Sequence, residues 1–169
     1  MSSRRLFYAL WPDDATRDAL MDIQQRIAGL RVRRENLHLT LIFLGQQRAD
    51  LLPTLEDMLT SLPVETMPLS IDRIGYFPRN RIAWSGMSKP SNALTQLHGN
   101  LTTRLLDCGI GFDSSSRFKP HVTLARDADA PEDFDFEPVA WRAHHVALVE
   151  SAQDARGVVY RVLASRRAA

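Results

Sequence analysis

The sequence predicts an α+β fold, and three observations carry that prediction. Three segments place leucines at helical spacing, six or more short segments alternate as strands do, and no internal repeat of 20–50 residues is present. The 169 residues fit one domain, since independent domains usually run about 100–200 residues. The chain is 44% hydrophobic and 24% charged, too apolar for a disordered chain and long enough to bury a core unaided. No apolar run approaches the roughly 20 residues of a membrane span.

Leu6–Leu10, flanked by Arg4-Arg5 and Trp11, reads as a first strand; the apolar stretch ends at Pro12 and is too short for a signal core of about 7–15 residues. Asp13-Asp14 opens a first helix carrying Ala19, Leu20, Ile23, Ile27 and Leu30, with Gly29 as its stop. A second helix carries Leu51, Leu52, Leu55, Met58, Leu59 and Leu62; Pro53 belongs in its first turn, which makes Asp50 the expected cap. A third follows Pro90-Ser91 with Leu94, Leu97, Leu101, Leu105 and Cys108 on one stripe and Gly109 just beyond. Strands are expected at 37–44, 68–75, 81–87, 119–126, 142–150 and 157–164, with turns at 76–80 and 111–120.

Charge excludes a polycation: 21 basic against 20 acidic side chains leave +1. Segment 127–137 holds six carboxylates and no basic residue and reads as a solvated loop; the remainder carries 21 basic against 14 acidic groups. Arginine outnumbers lysine 19 to 2, a bias that suits phosphate recognition. One cysteine, Cys108, excludes an internal disulfide and a Cys-based zinc site, and a reducing cytoplasm is its simplest home.

Two segments read alike: Leu37-His38-Leu39-Thr40-Leu41 and Pro120-His121-Val122-Thr123-Leu124. Residues two apart on a strand share a face. Leu37, Leu39, Leu41 and Phe43 are thus expected to face the core, with His38 and Thr40 opposite; Val122 and Leu124 likewise back His121 and Thr123. With five histidines and nine threonines, two His-x-Thr pairs arise in about 3% of shuffled chains, so the pairing carries information. Two imidazoles near neutrality supply an acid and a base together. Hydroxyls beside them can donate to phosphate oxygens. That set suits in-line displacement at phosphorus without a nucleophilic side chain. A metal site fits less well, because threonine rather than a carboxylate occupies the same-face neighbour both times, and His144-His145 would point to opposite faces. His98 reads as a helix-boundary residue, and His144 and His145 as pairing with local polar groups or water.

These motifs, in a chain of this size, resemble the 2H phosphoesterase superfamily, and within it the RNA 2′,3′-cyclic phosphodiesterases once described as 2′-5′ RNA ligases. The resemblance spans Arg5–Leu10, Asn36–Gly45, Arg81–Gly86 and Phe118–Arg126. It implies one bilobal domain over 1–169, with antiparallel sheets facing a central cleft across a pseudo-two-fold axis and helices outside; residues 166–169 are expected to trail off disordered. It implies hydrolysis of an RNA-terminal 2′,3′-cyclic phosphate to a 2′-phosphate, with His121 as base, His38 as acid, and Thr40 and Thr123 on the phosphate. Arg126 is a further phosphate candidate, although its strand parity differs from that of His121. Arg81 and Lys119 are weaker ones. Phe43 and Tyr76-Phe77 could stack a base, but Phe43 has core parity. No metal, cofactor, membrane or obligate protein partner is expected; the partners are RNA ends or nucleotides bearing the cyclic phosphate. Ligation by the reverse reaction, a small cyclic or 2′-5′-linked substrate, and a silenced binding module remain open alternatives.

Overall fold

A computed structural model describes residues 2–115 and 117–168. Strand β1 (Ser3–Leu10) leads through Asp13, whose carboxylate caps the Thr16 N–H at 2.8 Å, into α1 (Asp14–Gln24). The helix ends five residues before Gly29, whose φ of +129° instead turns the chain where a Cβ would press on the Arg126 carbonyl. A two-residue strand β2 (Leu30–Arg31), absent from the sequence expectation, precedes β3 (Leu39–Arg48). Helix α2 (Leu52–Thr60) follows one 3₁₀ turn and carries Pro53 in its first turn, but Asp50 does not cap it. Asp50 pairs with Arg48 at 3.0 Å instead, because the 3₁₀ turn moves the helix start to Leu52.

The segment expected as one strand at 68–75 divides into β4 (Met67–Ile71) and β5 (Arg73–Phe77), separated by Asp72, whose carboxylate accepts from Ser88. Strand β6 (Ile82–Gly86) returns from β5. Helix α3 (Asn92–Asp107) is capped by the Ser91 hydroxyl and buries Leu94, Leu97, Leu101 and Leu105; Cys108, just past it, is exposed rather than on the stripe. Then come β7 (His121–Arg126), β8 (Val139–Ala143), β9 (His145–Asp154) and β10 (Gly157–Arg167). β10 stays paired with β9 through Arg167, and the Ala168 N–H donates to the His144 carbonyl; Ala169, the last residue of the expected disordered end, lies outside the described residues. The acidic stretch 127–137 is irregular with its carboxylates exposed, while Phe134 and Phe136 pack against the core and the Arg26 guanidinium lies over the Phe134 ring.

Every ladder is antiparallel. One sheet runs β10-β9-β1-β3-β7-β6-β5 with β2 beside β7; β4 and β8 form a separate pair. The halves of the large sheet meet at β3 and β7 through one residue pair, Leu39 opposite Val122. Those are the central residues of the two repeated motifs. The main core gathers the inner leucines of all three helices with Leu39, Leu41, Ile42, Val122, Leu124 and Trp141. A smaller cluster of Phe7, Ala9, Ala147 and Val149 lies on the sheet's other face, with Trp11 and Tyr160 against it. Among the described residues, no helix is long and apolar enough to cross a membrane.

Candidate active site

The junction of β3 and β7 brings the repeated motifs together. Extending the Leu39–Val122 register by one residue each way sets His38 against Thr123 and Thr40 against His121. In a regular antiparallel ladder such diagonal neighbours stand roughly 7–8 Å apart, and the charge of His121 is felt at His38. Leu39 and Val122 are fully buried behind them, so apolar burial fixes the strands that present the polar pairs.

Two β-bulges refine the sequence-level parity, and they are related. In β3, Ala9 pairs with Thr40 and Tyr8 with Ile42, leaving Leu41 as an extra residue. In β7, Trp84 pairs with Thr123 and Ala83 with Ala125, leaving Leu124 as the extra one. An inserted residue reverses alternation beyond it. Phe43 therefore leaves the expected core face and is 51% exposed on the side of Thr40, opposite Phe7. Arg126 by the same device rejoins the side of His121 and Thr123, which removes the parity objection to it. Both lie five residues beyond their histidine. Two consecutive buried apolar residues after each threonine, Leu41-Ile42 and Leu124-Ala125, are the sequence signal that marks the bulges.

The two imidazoles are held alike at one nitrogen. Nδ1 of His38 lies 2.7 Å from the Asn36 carbonyl, and Nδ1 of His121 lies 2.7 Å from the Lys119 carbonyl. A carbonyl only accepts, so each Nδ1 carries the proton and each neutral ring keeps Nε2 as its free base. His38 Nε2 is 2.8 Å from the Thr40 hydroxyl, which donates to it; no equivalent bond joins His121 and Thr123 among the described residues.

Their surroundings differ more. The His38 ring stacks on Phe7 (centroids 4.8 Å, planes 28° apart) and lies 6.0 Å from Trp11, with Tyr160 edge-on at 5.1 Å. The buried Arg17 guanidinium covers Trp11 at 5.0 Å and donates to the Pro12 and Arg34 carbonyls. Burial pushes His38 down to about 4, the Asn36 bond opposes that, and the charges of His121, Arg17 and Arg126 push the same way as burial. His121 meets Phe77 edge-on at 5.0 Å and Trp84 at 5.9 Å, and is lowered by burial and by Arg126. Arg126 thus acts on both rings, and it is exposed at the end of β7.

The other candidates separate. Arg81 is paired with Asp129 at 3.1 Å, and the Tyr76 hydroxyl donates to the Ala128 carbonyl, so both serve the β5–β6 turn and the loop after β7. Lys119 holds His121 through its carbonyl while its side chain is exposed. His98 stacks flat on Phe118 at 4.1 Å, one turn of chain before His121. His144 Nδ1 is 3.1 Å from the Arg142 carbonyl, whereas buried His145 Nε2 has no partner among the described residues. A separate groove of about 580 Å³ runs between α1 and residues 136–142, and neither motif lines it. Sequence reasoning missed Phe7, Trp11, Tyr160 and Trp84, which are brought to the histidines by strands far away in sequence.

A family model described as the 2′-5′ RNA ligase superfamily matches residues 12–155. The RNA 2′,3′-cyclic phosphodiesterase of Archaeoglobus fulgidus is 32% identical over 129 residues, 72% of each chain. That of Escherichia coli K12 is 38% identical over 101 residues, which is 60% of this chain and 57% of the relative. Among solved structures, apo E. coli LigT superposes with a TM-score of 0.84 at 28% identity, over 99% of this chain and 98% of that one. The same protein complexed with 3′-AMP gives 0.81 at 27% identity, with the same coverage.

Proposed function

This chain belongs to the 2′-5′ RNA ligase superfamily, and from that premise we propose that it opens RNA-terminal 2′,3′-cyclic phosphates with water, leaving a 2′-phosphate. The observation that supports the proposal is the Leu39–Val122 pair, which joins the centres of the two repeated motifs on the sheet. Water enters opposite the departing 3′ oxygen: one histidine takes its proton while the other supplies a proton to O3′. Thr40, Thr123 and Arg126 bind the non-bridging oxygens, where donors aimed at developing charge lower the barrier. Phe43, Phe7 and Tyr160 form an aromatic wall beside His38 for the terminal nucleoside. As proposed, the chemistry calls on no metal, cofactor or protein partner, and a lone exposed thiol suits a reducing cytoplasm. With a 5′-hydroxyl in place of water, the same displacement joins two ends through a 2′-5′ bond.

The family resemblance makes His121 the base and His38 the acid. That assignment requires His38, held near 4 in the free protein, to gain its proton as the negative charge of the cyclic phosphodiester arrives beside it. The converse assignment, with His38 as base, starts from the neutral ring that burial favours in the free protein. A cyclic substrate with sulfur replacing the 3′ oxygen separates the two, because a thiolate leaves without a proton. On that substrate the variant lacking the acid recovers and the variant lacking the base does not. Recovery of His38→Ala alone supports the first assignment, recovery of His121→Ala alone the second, and recovery of neither sinks acid–base catalysis by this pair. Activity that chelation abolishes and added metal restores would overturn the metal-independent reading.

A further inference from the structure

The carbonyls that hold the two histidines stand two residues before them in both motifs, in Asn36-Leu37-His38 and in Lys119-Pro120-His121. The second carbonyl is steered by covalent geometry. Pro120 fixes its own φ and confines Lys119 to extended backbone, so few free torsions remain between that oxygen and the ring. Leu37 takes a proline-like φ of −65° with no pyrrolidine to keep it there. The first carbonyl therefore calls for another restraint, and the Asn36 side chain is placed to give it.

Asn36 is buried, and both ends of its amide are bonded to β10. Its Nδ2 donates to the Val158 carbonyl at 3.0 Å, and its Oδ1 accepts the Tyr160 N–H at 3.3 Å. β10 closes one end of the large sheet, and the amide meets its outer edge as the peptide of a neighbouring strand would. Arg33 donates to the same Val158 carbonyl and lies 3.8 Å from Asp154, while Arg156 lies 3.9 Å from Glu35. From the other side, the Arg17 guanidinium donates to the Arg34 carbonyl at 2.6 Å. Residues 33–36 are thus bracketed between α1 and the β9–β10 hairpin. One bond of the bracket reaches the chemistry, the 2.7 Å contact from the Asn36 carbonyl to His38 Nδ1. The Thr40 bond at Nε2 does not choose the tautomer, because a hydroxyl can donate or accept. The Asn36 carbonyl does choose it, because it only accepts.

We propose that Asn36 is a positioning residue, whose side-chain amide anchors its own carbonyl to β10 and thereby fixes the tautomer and orientation of His38. The inference rests on the two-histidine reading above. The bond to the Tyr160 N–H also sets Tyr160, edge-on to His38 at 5.1 Å, in register with the ring. With Nδ1 held by the carbonyl, Nε2 is the nitrogen that exchanges a proton at the cleft, whether His38 serves as acid or as base. In the other neutral tautomer Nε2 already carries the proton and accepts none. A ring turned off the carbonyl falls outside hydrogen-bond reach of the reacting oxygen. His121 is steered by Pro120 instead, so removing the Asn36 amide disturbs His38 alone.

The test uses the full chain and the variants Asn36→Ala and Arg33→Met. Long-range proton–nitrogen NMR spectra of the imidazoles, taken at about pH 8 where an ordinary histidine is neutral, report which nitrogen carries the proton. In the wild type both rings should be protonated at Nδ1. In Asn36→Ala, His38 should become a mixture of tautomers while His121 stays as it was. On 2′,3′-cyclic AMP, kcat should fall about tenfold, the low end of what losing a histidine's outer partner costs at metal sites, with KM held within about threefold. Arg33→Met cuts a bond to the same β10 carbonyl and an ion pair but leaves the Asn36 amide in place. It should unfold at lower urea yet keep kcat within about twofold and the His38 tautomer unchanged. An unaltered His38 tautomer or kcat in Asn36→Ala, an equal change at His121, or the same kcat loss in Arg33→Met would each overturn the assignment. Should Asn36→Ala not fold, Asn36→Asp keeps the acceptor for the Tyr160 N–H and should show the same change in smaller measure. Failure of both to fold would make Asn36 a part of the fold and overturn its positioning role. A wild type inactive on cyclic AMP overturns the functional reading beneath, whereas the tautomer result is read without any substrate.

Discussion

His38 should be uncharged in the free protein at neutral pH, and its aromatic surroundings make that measurable as stability. The fold holds the ring at about 4, against about 6.5 in an unfolded chain. The neutral ring is the one the fold favours, so the unfolded chain binds more protons between those two values. Stability from this group is complete above pH 6.5 and is withdrawn as pH falls through 4. Each pKa unit is worth about 1.36 kcal/mol. Between pH 7 and pH 5 the linkage relation then gives a loss of about 2 kcal/mol from His38 alone. The perturbation is His38→Phe, which keeps an aromatic ring against Phe7, Trp11 and Tyr160 but cannot titrate. Urea unfolding at pH 7 and pH 5 measures both proteins. The wild type should lose about 2 kcal/mol more than the variant over that interval, with unchanged denaturant slopes. Equal losses would refute the reasoning, as would an NMR titration of wild-type His38 showing a midpoint near 6.5.

Other consequences follow from single side chains. Gly75→Ala places a methyl 2.0 Å from the Trp84 ring, and overpacking of this kind costs about 1–3 kcal/mol; denaturant unfolding should show that loss, and Trp84→Val in the same chain should recover most of it. Phe43→Ala should raise KM for 2′,3′-cyclic AMP about tenfold with little change in unfolding midpoint, because the ring is exposed beside the nucleoside wall; an unchanged KM would return Phe43 to a surface role. Thr40→Val removes both a phosphate donor and the hydroxyl bonded to His38 Nε2, so it should lower kcat more than Thr123→Val does, and steady-state kinetics would expose the reverse order.

The helices and most strands are legible because their signals are local. Ser91 and Asp13 cap as their positions promise, and the inner leucines of α3 are buried where the helical spacing puts them. Asp50 fails as a cap because one 3₁₀ turn, invisible in the periodicity, shifts the start of α2. The split between β4 and β5 hides inside one alternating run, since the two strands belong to different sheets and only pairing partners reveal it. Both histidines were legible from the repeated motif, yet the positions of Phe43 and Arg126 were not. A strict two-residue alternation assigns both to the core side, and the bulges at Leu41 and Leu124 send both to the cleft. The aromatic box of His38 lay beyond sequence reasoning altogether: Phe7 and Tyr160 come from strands separated by most of the chain and meet only through the β1–β9–β10 ladders.

The central claim is that His38 and His121 together open a terminal cyclic phosphate toward the 2′ side. The most direct measurement is the product formed from an RNA ending in a 2′,3′-cyclic phosphate, resolved by mass and by phosphatase sensitivity, for wild type, His38→Ala and His121→Ala. The wild type should give a 2′-phosphate, and each folded variant should lose about 10²-fold or more of that turnover. A 3′-phosphate product, or undiminished turnover in either variant, would contradict the account.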